Sequence, residues 1–276
     1  MLQVEECGPV RKFRAARSIF GRAFYYTAAY WVDGLLIDTT CPFAAEEMLQ
    51  ATSSLALTRI VNTHCHEDHI GANGPLQQAR GVTIEAHPLA LPVLANPRLQ
   101  YLQLYRRIFW GWPEPSRGTA IGDWVETEHH RFRVLHTPGH SPDHICLYEA
   151  EQGWLFAGDA YVGGKDRVAR PDYDIYAMIV SLRKMAALGV TVLFPGSGTV
   201  RTDESVADLQ RKADYLEELG VKVRELHRRG LPVQAIQRKL LGRDPTIRYL
   251  TLGHFRSRYL VEAYLRGSSA ANDSEV

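Results

Sequence analysis

The sequence predicts an α+β fold, with strands early in the chain and helices late. Three observations carry this reading. Short apolar and β-branched runs bounded by turn residues recur over residues 24–200. Histidines and aspartates cluster where several of those runs end, the place where α/β sheets put ligands. From residue 203 the apolar residues fall at three- and four-residue spacings, the period of a helix. The expected organisation is a main domain at 1–202 with an insertion at 88–117. A helical extension follows at 203–266, then a polar, disordered tail at 267–276.

Composition narrows the function. Of 276 residues 45% are apolar, enough for a real core, and the net charge of +1 gives no field for nucleic acid or an anionic membrane. No apolar run approaches the ~20 residues of a membrane span. Residues 1–10 carry Glu5 and Glu6 and no apolar signal segment. Cys7, Cys41, Cys65 and Cys146 lack CxxC spacing and read as free thiols in a reducing, cytoplasmic compartment. The expected partner is a small-molecule substrate; a homodimer is left open.

The elements follow in order. Residues 11–23 mix Arg and Lys with Phe13, Ile19 and Phe20 and read as an irregular or short-strand entry. Phe24–Val32 and Leu35–Ile37 flank Asp33-Gly34, a strong hairpin signal. Residues 43–55 have helical spacing, and 58–62 form a short β-rich run leading into the first histidines. A helix over 71–80 and a strand over 82–86 come next. The insertion carries five prolines from Pro88 to Pro115, with Tyr101, Tyr105, Phe109, Trp110 and Trp112 among them. It holds a helix at 99–109 and reads either as a self-packed excursion or as a wall over the site. Strands are expected at 124–127, 132–136, 145–149, 154–157 and 190–194. Helices are expected at 174–188, from 203 to Gly230, at 232–241 with Pro232 in its first turn, and at 254–265. Residues 238–258 hold six Lys or Arg against one acid, a solvated face or an anion site.

The chemistry concentrates in Thr63-His64-Cys65-His66-Glu67-Asp68-His69-Ile70-Gly71. Neutral imidazole and carboxylate are ligands for Zn²⁺ and Fe²⁺. On an extended segment His64 and His66 point the same way, while Cys65 points away. Asp68 and His69 follow the turn of the chain and can address a neighbouring position. Asp68 is the candidate to orient a metal-activated water. His136 and His144 stand close enough to His140 to support it from behind, whereas His87, His129, His130 and His227 read as structural. No GxSxG or phosphate-loop pattern is present.

His64-x-His66-x-Asp68-His69, Asp38 ending an early strand, His140 in TPGHS and Asp159 in FAGDA together resemble the metallo-β-lactamase superfamily. That resemblance implies a four-layer αββα sandwich. It implies that His64, His66 and His140 bind a first metal, and that Asp68 and His69 bind a second, with Asp159 bridging. It places Asp38 one layer behind the ligands. The stretch 158–188 looks like the glyoxalase II-like, thioesterase and lactonase branches. The function implied is a hydrolase using metal-bound hydroxide on a small ester or thioester, with two zinc ions, or else iron or manganese. The chain departs from the family at Pro195-Gly196-Ser197-Gly198, where members with two metals usually carry a histidine. Ser197 is a poor ligand, so the second ion is weak, absent or completed elsewhere; His254 is the candidate replacement. The alternative is a mononuclear iron oxidoreductase resembling the persulfide dioxygenases, with His64, His140 and Asp159 as its triad. A non-catalytic metal protein and an RNA-processing enzyme stand behind both.

Overall fold

The computed structural model describes residues 1–19 and 22–272. Within them the chain packs as two units. The first comprises Met1–His136, Pro142–Val162 and Gly189–Ser205; the second comprises Thr137–Ser141, Gly163–Leu188 and the residues from Val206 on.

The first unit contains two sheets. One has seven strands in chain order: β1 (Leu2–Cys7), β2 (Val10–Ile19), β3 (Arg22–Val32), β4 (Leu35–Ile37), β5 (Arg59–Val61), β6 (Thr83–Ala86) and β7 (Thr119–Ala120). Its first four strands are antiparallel neighbours, and β4 to β7 run parallel. The other sheet has β8 (Trp124–Glu126), β9 (Arg131–His136), β10 (Ile145–Glu149), β11 (Trp154–Gly158) and β12 (Val192–Pro195), ordered β12-β11-β10-β9-β8. Val10, Tyr30, Leu35 and Ile37 of one sheet share a core with Phe132, Leu147, Phe156 and Phe194 of the other. Phe156 and Phe194 stack there, with ring centroids 4.6 Å apart. On its opposite face the larger sheet buries Phe13, Leu36, Ile60 and Ile84 against Met48 of α1 (Ala45–Thr52), Leu76 of α2 (Asn73–Arg80) and Leu94 of α3 (Leu91–Ala95). Each such side chain contributes about 1.5–3 kcal/mol on burial. Two sheets with helices make the fold α+β, as expected.

Local chemistry explains the agreements and the differences. Asp33 (φ +48°) and Gly34 (φ +83°) are both left-handed, the geometry of a two-residue hairpin turn. Within 11–23, expected as an irregular or short-strand entry, the chain forms most of the ten-residue strand β2 despite poor intrinsic propensity. Pairing on both edges overrides that propensity, and its cations find partners: Lys12 Nζ meets Glu5 (2.9 Å) and the Gly198 carbonyl (3.1 Å). The helix expected at 99–109 is only α4 (Leu104–Phe109), because Pro97 begins a separate 3₁₀ turn that ends at Leu99. Strands β1 and β7 have no distinct sequence signal.

The second unit is helical: α5 (Ile175–Ala186), α6 (Ser205–Arg228), α7 (Val233–Leu240), α8 (Ile247–Leu250) and α9 (Ser257–Asn272). The Asp174 carboxylate caps α5, accepting from Tyr176 N (3.1 Å) and Ala177 N (3.0 Å). Pro232 precedes α7 rather than lying in its first turn. The last helix starts three residues later than its spacing predicts, with Asp244 Oδ1 taking the Ser257 N–H (2.8 Å). It then runs to Asn272, into the stretch expected as a disordered tail; residues 273–276 lie outside the described residues. Among the described residues no helix is long and apolar enough to cross a membrane.

Candidate metal centre

Parallel pairing of β4 with β5 brings two strand ends side by side, Asp38 leaving one and Thr63-His64 leaving the other. Asp38 has a left-handed backbone (φ +60°) and is 2% exposed. Its carboxylate accepts from Thr63 N (2.7 Å) and the Thr63 hydroxyl (2.7 Å), and pairs with His69 Nδ1 (2.8 Å). That last contact puts the proton on Nδ1 and leaves Nε2 as the donor nitrogen. Asp38 therefore stands behind His69.

His69 Nε2 faces Asp159 Oδ1 at 3.4 Å and Asp68 Oδ2 at 3.9 Å. His64 Nε2 faces His66 Nδ1 at 2.9 Å. His64, His69 and Asp159 each offer a ligand atom, and these atoms lie within 4.8 Å of one another. His64, expected with the first metal, thus also borders the group expected at the second. Behind Asp159, His144 Nε2 accepts its N–H (3.1 Å), and burial pushes that imidazole down to about 4, which keeps it a neutral acceptor. His136 is exposed, bonds the Pro142 carbonyl (2.8 Å) and stacks on His87 (4.6 Å).

The donor set suits a divalent ion. Ring nitrogens and carboxylate oxygens converge on one small region, the chemistry of zinc and iron sites. Burial pushes the Asp68 carboxyl up to about 7, so its negative charge lacks sufficient compensation from the protein alone. Burial alone would lower His69, yet Asp38, Asp159 and Asp68 carry it well above its ordinary value.

The Pro195–Gly198 turn lies against this group. A Cβ on Gly196 would stand 2.4 Å from Asp159 Oδ1 and 2.8 Å from His69 Cε1. The Ser197 hydroxyl is buried without a hydrogen-bond partner among the described residues. His140 and His254 belong to the second unit. The His140 carbonyl accepts from Arg170 Nη2 (2.6 Å), and its turn is further held by Ser181 Oγ on the Pro138 carbonyl (2.7 Å). His254 sits in the turn before α9, its N–H on the Thr251 carbonyl (3.0 Å) and its ring near Phe255 (5.7 Å).

Sequence reasoning missed five supports, Asp143, Gln100, Arg106, Lys12 and Arg14. Asp143 Oδ2 accepts the Cys65 N–H (2.8 Å); an acid directly before His144 was its only cue. Gln100 Nε2 donates to the Cys65 carbonyl, and Arg106 pairs with Glu67, contacts spanning 35 and 39 residues that no motif encodes. Lys12 and Arg14 hold the Gly198 and Ser197 carbonyls (3.1 and 3.2 Å) from a segment read as an irregular or short-strand entry. Burial, then Asp143, raise the Cys65 thiol far above its ordinary value, which disfavours the thiolate.

Residues 23–197 match the model of the metallo-beta-lactamase superfamily. The chain belongs to that superfamily. A relative described as an atrochrysone carboxyl ACP thioesterase, from Aspergillus fumigatus, is 28% identical over 78% of this chain and 60% of its own length. A hydroxyacylglutathione hydrolase from Rhodospirillum rubrum is 33% identical over 56% of this chain and 54% of its own. The chain thus spans little more than half the length of these curated relatives. The solved structure of TTHA1623 in a di-iron-bound form superposes with a TM-score of 0.55 at 29% identity, over 68% of this chain and 94% of that one. A metallo-beta-lactamase from Pontibacter korlensis gives 0.60 at 20% identity, over 79% and 99%, a likeness of fold.

Proposed function

We propose that this superfamily member is a metal-dependent thioester hydrolase of the glyoxalase II-like branch. One observation carries the reading: His64, His69 and Asp159 converge within 4.8 Å, with Asp38 fixing the His69 tautomer from behind. In this reading His64, His66 and His140 would hold one ion and Asp68, His69 and Asp159 the second. When bound, divalent ions supply Lewis acidity and bring the pKa of water down to ~7. Asp68, whose Oδ2 stands 3.9 Å from His69 Nε2, orients the attacking water and accepts its proton. The insertion exposes Leu89, Leu99, Tyr101, Leu104 and Ile108, apolar surface suited to an acyl chain. The relatives named as a thioesterase and an acylglutathione hydrolase support the same substrate class.

Two zinc ions fit this chemistry, the second held weakly because Ser197 offers only a neutral hydroxyl. The test is metal analysis of the purified protein together with thiol release from acyl-glutathione and acyl-CoA. Two zinc ions with thioester hydrolysis, and about 10²-fold or more lost in Asp68→Asn, are expected. One iron with persulfide-dependent oxygen uptake overturns the reading in favour of the oxidoreductase. His254 is proposed as the replacement ligand for the second ion. His254→Ala is expected to lower bound metal towards one per chain; unchanged count and occupancy remove His254 from the site.

A further inference from the structure

The residues flanking His66 are gripped by side chains of the insertion. On one side, Gln100 Nε2 donates to the Cys65 carbonyl while Asp143 takes the Cys65 N–H (2.8 Å). On the other, Arg106 of α4 makes a two-pronged pair with Glu67, Nε to Oε1 at 2.6 Å and Nη2 to Oε2. Glu67 is fully buried and Arg106 is 8% exposed. Neither Cys65 nor Glu67 is a candidate ligand, but the backbone between them sets where His66 and Asp68 stand. A buried ion pair is a poor source of net stability, since removing two charges from water offsets most of their attraction. Its planar, bidentate geometry does fix direction.

We propose that the insertion 88–117 is a clamp on the metal loop and that Arg106 is its positioning residue. Through Glu67, Arg106 holds His66 and Asp68 in the arrangement that binds metal. The proposal rests on the metal-hydrolase reading, and zinc affinity tests it apart from turnover.

The experiment is zinc binding by the full chain in competition with a chromophoric chelator, alongside urea unfolding of the metal-free protein. Arg106→Met is expected to weaken zinc binding about 10–100-fold, the usual effect of removing a group that orients ligands. Arg106→Lys, which keeps the charge but loses the fork, is expected to recover part of that loss. Should Arg106→Met fail to fold, the paired change Glu67→Leu with Arg106→Met removes the stranded charge, and its zinc affinity is read instead. Folded variants that bind zinc within about threefold of the parent, with only the urea midpoint moved, overturn the clamp. A parent that binds zinc without hydrolysing thioesters sinks the substrate reading, and the variants' zinc affinities still decide the clamp. A parent with no zinc affinity overturns both.

Discussion

Asp38→Asn is expected to give a folded protein whose zinc affinity has fallen about 10–100-fold. In the parent, one carboxylate serves the Thr63 N–H, the Thr63 hydroxyl and His69 Nδ1, all at 2.7–2.8 Å. Asparagine keeps one oxygen for the Thr63 N–H but presents an NH₂ group towards His69. The imidazole then accepts at Nδ1 and carries its proton on Nε2, the nitrogen that faces Asp159 at 3.4 Å. A protonated ring nitrogen has no lone pair for a metal. The backbone does not confound the result, because Asn tolerates the left-handed conformation (φ +60°) of residue 38. Zinc bound per chain at matched free zinc, read beside the urea midpoint, checks it. An asparagine variant that retains parental zinc shows that Asp38 does not set the tautomer. Asp38→Ala goes further, leaving buried donors without an acceptor at about 1–3 kcal/mol each.

Gly196→Ala is expected to disable the centre by collision rather than by charge. The added methyl would lie 2.4 Å from Asp159 Oδ1 and 2.8 Å from His69 Cε1. His69 is held by Asp38 (2.8 Å), and the turn is held by Gly196 N on the Gly158 carbonyl (2.7 Å) and Ala28 N on the Gly196 carbonyl (2.7 Å). The Asp159 carboxylate is therefore the group that gives way. Overpacking of this kind costs about 1–3 kcal/mol, and the displaced ligand is expected to cost about tenfold or more in zinc affinity. Gly122→Ala is the control, since a Cβ there meets nothing within 4 Å. Equal zinc affinity in Gly196→Ala and Gly122→Ala would contradict the placement of the turn against the ligands.

The legible part of the site was the part written locally. His64, His66, Asp68 and His69 fall within six positions after a strand, so spacing alone brings them together. Asp38 was readable only through the family resemblance, and the structure supplies the reason, since β4 and β5 are parallel neighbours whose ends lie adjacent. The fold was readable wherever a period or a turn signal declared it, as at Asp33-Gly34 and along α5. What stayed hidden was tertiary. The length of β2 was not legible because Lys12 and Arg14 find their carbonyl partners far along the chain, Lys12 reaching Gly198 across 186 positions and Arg14 reaching Ser197 across 183. Arg106 and Glu67 carry no motif that joins them, and only packing shows that they are one buried pair. The start of α9 was missed because its first N–H is satisfied by Asp244, 13 residues back.

The Pro195–Gly198 turn is tethered entirely through its backbone. Tyr30 Oη donates to the Pro195 carbonyl (2.6 Å), Gly196 bonds Gly158 and Ala28 (both 2.7 Å), Arg14 takes the Ser197 carbonyl (3.2 Å) and Lys12 that of Gly198 (3.1 Å). The Ser197 side chain contributes to none of these. Position 197 is thus an interchangeable socket: its occupant can be swapped without rebuilding the walls that aim it. A substitution at 197 is therefore expected to leave these backbone bonds, and the strands they join, in place.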